Sequence, residues 1–239
     1  MKTFSMTDVG RVRQINQDYV YSSTEAIGNL PNLFIVADGM GGHKAGDYAS
    51  RYTVERMLEL AKVSAETDPC MLLDKALLQI NSEIIDIANR DDDKYGMGTT
   101  FVGCSITDSR LEAVNVGDSR LYVIGDDIKQ LTVDHSYVQE MVDKGEIDVS
   151  EARNHPNKNI ITRAVGGSNV VAPDYFEYEL AHGEIVLLCS DGLTNMVEDN
   201  EIRNIVHSYA EPETICKELI AAANTAGGAD NISVVIVAP

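Results

Sequence analysis

Residues 99–132 read TTFVGCSITDSRLEAVNVGDSRLYVIGDDIKQLT. Four apolar stretches, 99–106, 110–117, 119–125 and 128–132, follow one another with only polar turn-formers such as TDSR and GDD between them. Short runs rich in Val, Leu, Ile and Tyr bounded by Asp, Ser and Gly predict strands joined by tight turns. Connections this short leave no room for a helical crossover, so successive strands must pair antiparallel. That pattern rules out the strict strand–helix alternation of a doubly wound parallel sheet.

Working outward, DYVYSS (18–23) and NLFIVAD (32–38) predict two earlier strands, and DYFEYEL (174–180), EIVLLCSD (184–191) and NISVVIV (231–237) three later ones. Apolar residues three or four apart predict helices over 45–62 and from Asp68 to about Arg90, the second with Asp68 as its cap and Pro69 in its first turn. Further helices are predicted over 136–144, 200–209 and 212–225, and the polar stretch 145–159 reads as a surface excursion. The order of strands, two helices, many strands, helices and a last strand predicts an α+β fold. Two antiparallel sheets pack on each other as a central β-sandwich flanked by α-helices, in one domain spanning 1–239.

With 44% hydrophobic and 24% charged residues among 239, the chain has the balance of a soluble globular domain. Its formal charge of −19 repels phosphate backbones and anionic lipid, which argues against nucleic-acid or membrane partners. No apolar run reaches the roughly 20 residues of a membrane span, and the opening MKTFSMTDVGRVRQ has no signal-peptide core. Cys70, Cys104, Cys189 and Cys216 are scattered without a CxxC pair, so reduced thiols and a cytoplasmic location are expected.

Four aspartates occupy one kind of position. Asp38 follows FIVA, Asp118 follows AVNVG, Asp191 follows VLLCS, and Asp230 stands one residue before ISVVIV. Aspartate is a common turn residue, but four beside strongly apolar strands, each next to Gly, Ser or Asn, can line one edge of the sheet layer. Clustered carboxylates repel unless neutralised, and hard divalent cations with oxygen ligands do that. In DGMGGH (38–43), Gly39 lacks a side chain that would keep its carbonyl from a metal, and Gly41 and Gly42 allow a sharp turn into the helix. Upstream, RVRQINQD (11–18) brings Asp18 to the head of another strand. Arg13 lies five residues before it and offers the planar fork that suits two phosphate oxygens.

These segments, with GMGTTFVGCSI, NVGDSRLYVI, LTVDHSYV, NHPNKNIITRAVGG, LLCSDGLTNMV and DNISVVIV in the same order, resemble the metal-dependent protein serine/threonine phosphatases of the PPM or PP2C family, in their short bacterial form. DGMGG alone is a weak signal; DGMGG, GDSR, SDGL and DN at this spacing are specific, and the resemblance covers nearly the whole chain. It implies hydrolysis of phosphoserine and phosphothreonine by in-line attack of a water or hydroxide shared by two Mn2+ or Mg2+ ions, with a third ion beside them. Asp38 resembles the bridging carboxylate, with the Gly39 carbonyl on the second metal and Asp191 and Asp230 on the first. Asp18 resembles the residue that holds metal-bound water or contacts the second metal. Asp118, with Asp191, resembles the third-metal ligands, and Arg13 the phosphate-binding arginine. The segment 145–159 resembles the family's flap beside the active site. The implied partners are phosphorylated proteins and an opposing Ser/Thr kinase, and the implied state is a monomer.

Two positions depart from the eukaryotic pattern. Met40 stands where those members have a histidine proposed as a general acid, and Gln17 where they have a glutamate. His43 is three residues further on. His135 and Ser136 read as a helix start, since no acid evident in the sequence completes a Ser/His triad, and His155 and His182 read as surface residues. A Mg2+-dependent nuclease and a non-catalytic metal-binding module remain the competing readings.

Overall fold

A computed structural model describes residues 1–42 and 45–239. His43 therefore lies outside the described residues.

The strands are β1 (Lys2–Asp8), β2 (Asp18–Ser23), β3 (Leu33–Met40), β4 (Gly98–Thr99), β5 (Phe101–Thr107), β6 (Arg110–Val116), β7 (Arg120–Ile124), β8 (Ile128–Gln130), β9 (Asp174–Glu179), β10 (Ile185–Cys189) and β11 (Ile232–Ala238). The helices are α1 (Ala45–Val63), α2 (Pro69–Ala88), α3 (Tyr137–Asp143), α4 (Val149–Ala152), α5 (Asp191–Thr194), α6 (Asp199–Ser208) and α7 (Pro212–Thr225). One sheet has the order β1-β11-β10-β7-β8 and the other β2-β3-β5-β6-β9, with β4 paired to β3. Every pairing is antiparallel, as the short turns require.

The sandwich explains why the strands read as unbroken apolar runs. Along β3, Phe34 and Val36 point between the sheets with Val102, Cys104, Leu188 and Val235. Leu33, Ile35 and Ala37 point the other way, against α1 and α2 through Ala49, Met57, Leu73 and Leu77. A strand covered on both faces has no polar side to alternate. The opposite sheet does the same, packing Leu187, Ile232, Val234 and Ile236 on α5, α6 and α7 through Leu193, Ile202, Cys216 and Leu219. The layers are helix, sheet, sheet, helix, the expected fold class.

Asp68 caps α2 by accepting from the Met71 N–H at 2.8 Å, with Pro69 in its first turn. The structure adds three local features to these expectations. The N-terminal KTFSMTD is a strand, paired residue for residue with β11 from Lys2↔Ala238 to Asp8↔Ile232. The 145–159 excursion holds the short helix α4, closed by a capping box between Asp148 and Glu151. β3 does not stop at Asp38 but runs to Met40, because Gly39 and Met40 pair with Thr99 and Gly98.

Candidate active site

The sheet registers bring the acidic positions together. Asp18 and Asp38 are direct partners across β2 and β3, so their side chains leave the sheet on the same side. Asp118 sits in the turn between β6 and β7, Asp191 opens α5 straight after β10, and Asp230 precedes β11. A cavity of about 250 Å3 is lined by Arg13, Asp38, Gly39, Met40, Asp118, Asp191 and Asp230, together with Gln17 and Asn231. Asp18 is outside that lining, at 4% exposure.

The carboxylates are held by neighbours that leave oxygens free. Asp18 Oδ2 accepts from Ser190 Oγ at 2.8 Å, while its Oδ1 is buried without a hydrogen-bond partner. Asp191 Oδ2 accepts from Asn195 Nδ2 at 2.8 Å across one turn of α5, and its Oδ1 is likewise buried and unpartnered. Asp38 is fixed through its backbone, its N–H donating to Thr100 Oγ1 at 2.9 Å and its carbonyl accepting from the Thr100 N–H at 2.8 Å.

Burial, followed by mutual repulsion, raises these acids. Asp18 is pushed from 3.8 to about 7 by burial and by the charges of Asp191 and Asp230, against hydrogen bonds from Ser233 and Ser190 that pull it down. Asp191 is pushed up to about 6, by burial and then by Asp230. Asp38 rises well above the usual carboxylate range through burial and the charges of Asp18, Asp191, Asp118 and Asp230. Asp118 does so through burial and the charges of Asp191 and Asp134. Orphaned buried oxygens and repelling acids are the signature of a site that lacks its positive charge.

A hard divalent cation fits that donor set. Among the described residues no three His, Cys, Asp or Glu side chains form a group able to hold a metal ion by themselves. The fit is thus to an oxygen-loving ion whose shell takes carbonyl oxygens and water as well, rather than to a closed zinc cage.

Gly39 has a structural cause that its sequence position did not disclose. A Cβ there would meet the Gly46 carbonyl at 2.1 Å and the Gln17 carbonyl at 2.6 Å, so strand and helix α1 touch backbone to backbone. Gly41 then turns the chain at φ +144°, a conformation that favours glycine.

Arg13 stands at the rim, half-exposed, with Nη2 donating to Asp230 Oδ2 at 2.8 Å. Its loop is anchored at both ends. Gly228 accepts from the Arg11 N–H at 2.7 Å, and Asn231 Nδ2 donates to the Val9 and Ile15 carbonyls, each at 3.0 Å. Asn231 Oδ1 also takes the Gln17 N–H at 2.9 Å. Asn231, Asn195, Ser190 and Thr100 are the supporting residues that sequence reasoning passed over, although the first three stand inside the DN and SDGLTN motifs or directly beside them.

From the 145–159 excursion, Asn159 reaches the aspartate-lined cavity. Arg153, Asn154 and Lys158 line an adjoining cleft of about 500 Å3, which shares Asp118 and Asp191 with that cavity. Arg153 closes one side through an ion pair to Glu198 at 2.8 Å.

His135 and Ser136 do stand at a helix start, as expected, but His135 has a partner the sequence did not disclose. An acid does face it: His135 is buried, its Nδ1 accepts from the Gly117 N–H at 3.1 Å, and its Nε2 lies 3.0 Å from Asp174 Oδ2. The Gly117 bond places the ring proton on Nε2, where it is donated to Asp174. No Ser/His triad results, because the Ser136 hydroxyl is engaged as the cap of α3, accepting from the Gln139 N–H. His155 is half-buried near Tyr137, and His182 is exposed.

Comparison with known proteins identifies the family. The sequence model of the family Protein phosphatase 2C matches residues 10–215. The serine/threonine phosphatase stp of Listeria monocytogenes is 41% identical over 239 residues, covering 97% of this chain and 93% of that one. The crystal structure of serine/threonine phosphatase Stp1 from Staphylococcus aureus superposes with a TM-score of 0.92 at 33% identity, over 100% of this chain and 94% of that one. The catalytic domain of the serine/threonine protein phosphatase PstP, solved in complex with two manganese ions, superposes at 0.85 with 34% identity, over 98% and 96% of the two chains. The chain belongs to the protein phosphatase 2C family and is a metal-dependent protein phosphatase.

Proposed function

We propose that the protein removes phosphate from phosphoserine and phosphothreonine in other proteins by in-line attack of water, using two Mn2+ or Mg2+ ions and a third beside them. The observation that carries this reading is the group of five buried or half-buried aspartates: Asp18 and Asp191 each keep a buried unpartnered oxygen, burial and repulsion raise Asp18, Asp38, Asp118 and Asp191, and Asp230 completes the cluster with Arg13 at the rim. Asp38, Asp191, Asp230, Asp18 and the Gly39 carbonyl would hold the catalytic pair, and Asp118 with Asp191 the third ion. When bound, such ions supply Lewis acidity and lower the pKa of a water.

The chain's own groups do the rest. Arg13 binds the phosphoryl oxygens as a fork and offsets their charge in the transition state. Asp230, by accepting from Arg13 at 2.8 Å, keeps that fork at the mouth of the cavity. Ser190 and Asn195 each hold one carboxylate oxygen, of Asp18 and Asp191, and leave the other unpartnered, while Thr100 holds the Asp38 backbone. Met40 carries no proton to give, so the departing seryl or threonyl oxygen takes its proton from water. The chain acts as a single catalytic domain of 1–239, with 145–159 as a flap beside the site that influences substrate choice. It works as a cytoplasmic monomer opposing a Ser/Thr kinase. Among the described residues no helix is long and apolar enough to cross a membrane.

The test is a phosphothreonine-peptide assay with added Mn2+ or Mg2+. Phosphate release should stop with chelator and fall to near background in Asp38→Asn. Release that ignores both treatments would refute the reading, and cleavage of nucleic acid with phosphopeptide untouched would favour the nuclease alternative.

A further inference from the structure

A second cavity, of about 340 Å3, opens beside the catalytic one and shares two walls with it, Met40 and Ile161. Ala164, Val170, Val171 and Ala172 supply aliphatic carbon to the rest of its lining, beside Gly167, Thr162 and Ser168, whose hydroxyl donates to the Val170 carbonyl at 2.6 Å. Among the described residues the one charged group lining it is Arg163, and it is already engaged. Its Nη1 donates to Asp174 Oδ1 at 2.8 Å and to the Ala172 carbonyl at 3.1 Å.

This cavity is held open by buried bonds. Asn81 on α2, 2% exposed, accepts from the Gly166 N–H at 2.7 Å and donates to the Ser168 carbonyl at 3.0 Å. Val165 and Thr99 exchange both backbone bonds, at 2.9 and 3.0 Å. Thr99 in turn donates to the Asp38 carbonyl at 2.9 Å. The apolar cavity and the carboxylate cluster are therefore fixed to one another through β3 and β4.

We propose that this cavity takes the side chain of an apolar residue flanking the phosphorylated serine or threonine, and so sets the sequence preference of the enzyme. The proposal rests on the phosphatase reading above. The occupant follows from continuity. A phosphoryl group in the catalytic cavity ties its peptide to the Met40 and Ile161 rim, and an extended peptide advances only about 3.3 Å per residue. A neighbouring side chain thus reaches the second cavity directly. The chemistry follows from the lining: Arg163 is paired with Asp174, no other described lining residue is charged, and burying aliphatic carbon there is favourable.

The experiment measures kcat/KM of the Mn2+-loaded protein on phosphothreonine peptides carrying Leu, Ala or Asp at each position next to the phosphoresidue. p-Nitrophenyl phosphate, which has no neighbours, is the control. At one flanking position Leu should exceed Asp by about tenfold, the low end of what one apolar group in a pocket discriminates. Ala164→Leu, which fills the cavity, and Val170→Asp, which charges its exposed edge, should each abolish that preference while leaving p-nitrophenyl phosphate turnover within about twofold. Val170 is 74% exposed, so its variant tests the idea without disturbing the core. Normal turnover of p-nitrophenyl phosphate with no flanking preference, or a preference that survives in Val170→Asp, overturns the proposal alone. Absence of turnover on every substrate overturns the phosphatase reading along with it.

Discussion

Asp38→Asn should stabilise the metal-free protein while destroying its activity. Asp38 is enclosed with Asp18, Asp191, Asp118 and Asp230, and burial followed by their charges lifts its carboxyl well above the ordinary 3.8. Between 3.8 and that raised value the folded chain keeps a proton that the unfolded chain has lost. The folded state then binds more protons than the unfolded state, so stability falls as pH rises through this window. For one such group the slope is about 1.4 kcal/mol per pH unit inside that window, a cost the folded protein bears for keeping Asp38 neutral. Asparagine is neutral without holding a proton and escapes that cost. At about 2–4 °C per kcal/mol for a chain of this size, each pH unit within the window should add roughly 3–6 °C to the variant's lead over wild type, with the gap closing toward pH 4. The assay is thermal unfolding in chelator at several pH values, repeated with saturating Mn2+. There the wild type should regain its deficit through binding, while the variant responds little. A chelator-treated variant that melts at or below wild type at pH 7, or a gap that ignores pH, would refute the electrostatic account.

Two further outcomes follow from the geometry. Arg13→Ala should lower kcat/KM on p-nitrophenyl phosphate by about 10–100-fold, the worth of a hydrogen bond to a charged group. Arg13→Lys should recover only part of that, because the ammonium cannot present a fork; an unchanged kcat/KM in the alanine variant would remove Arg13 from phosphate binding. Gly39→Ala should destabilise by about 3 kcal/mol, since both atoms in its way are backbone and cannot swing aside. Its added Cβ would stand 2.1 Å from the Gly46 carbonyl, and a urea midpoint equal to wild type would show that the helix contact is not tight.

The sequence disclosed the core strands because both of their faces are buried, so that runs such as FIVA and VLLC announce themselves. It hid β1, whose KTFSMTD is half-buried at a sheet edge and gains its strand character from the β11 register rather than from its own side chains. It hid α4, which spans four residues with Val149 exposed and is defined by the Asp148–Glu151 box more than by periodicity. The aspartates were visible because each adjoins an apolar strand. Their mutual distances depend on registers such as Asp18↔Asp38, which no local pattern encodes. The His135–Asp174 pair was invisible for the same reason: 39 residues separate them, and they meet because β6 places Asn115 opposite Asp174 while Gly117 binds His135.

Met40 takes on a different meaning once the neighbouring cavities are considered. Read against relatives with histidine, it is a lost proton donor. In the fold, it ends β3 opposite Gly98, two residues beyond Asp38, and forms a common wall of the catalytic cavity and the apolar one. A thioether is unbranched and polarizable, and it adapts to irregular apolar neighbours. An imidazole there would carry a donor and an acceptor that both need partners, while the Arg163 guanidinium nearby is already bound to Asp174 and Ala172. The position thus holds an apolar boundary where an acid would need partners, and on the proposed mechanism the proton for the departing oxygen comes from water.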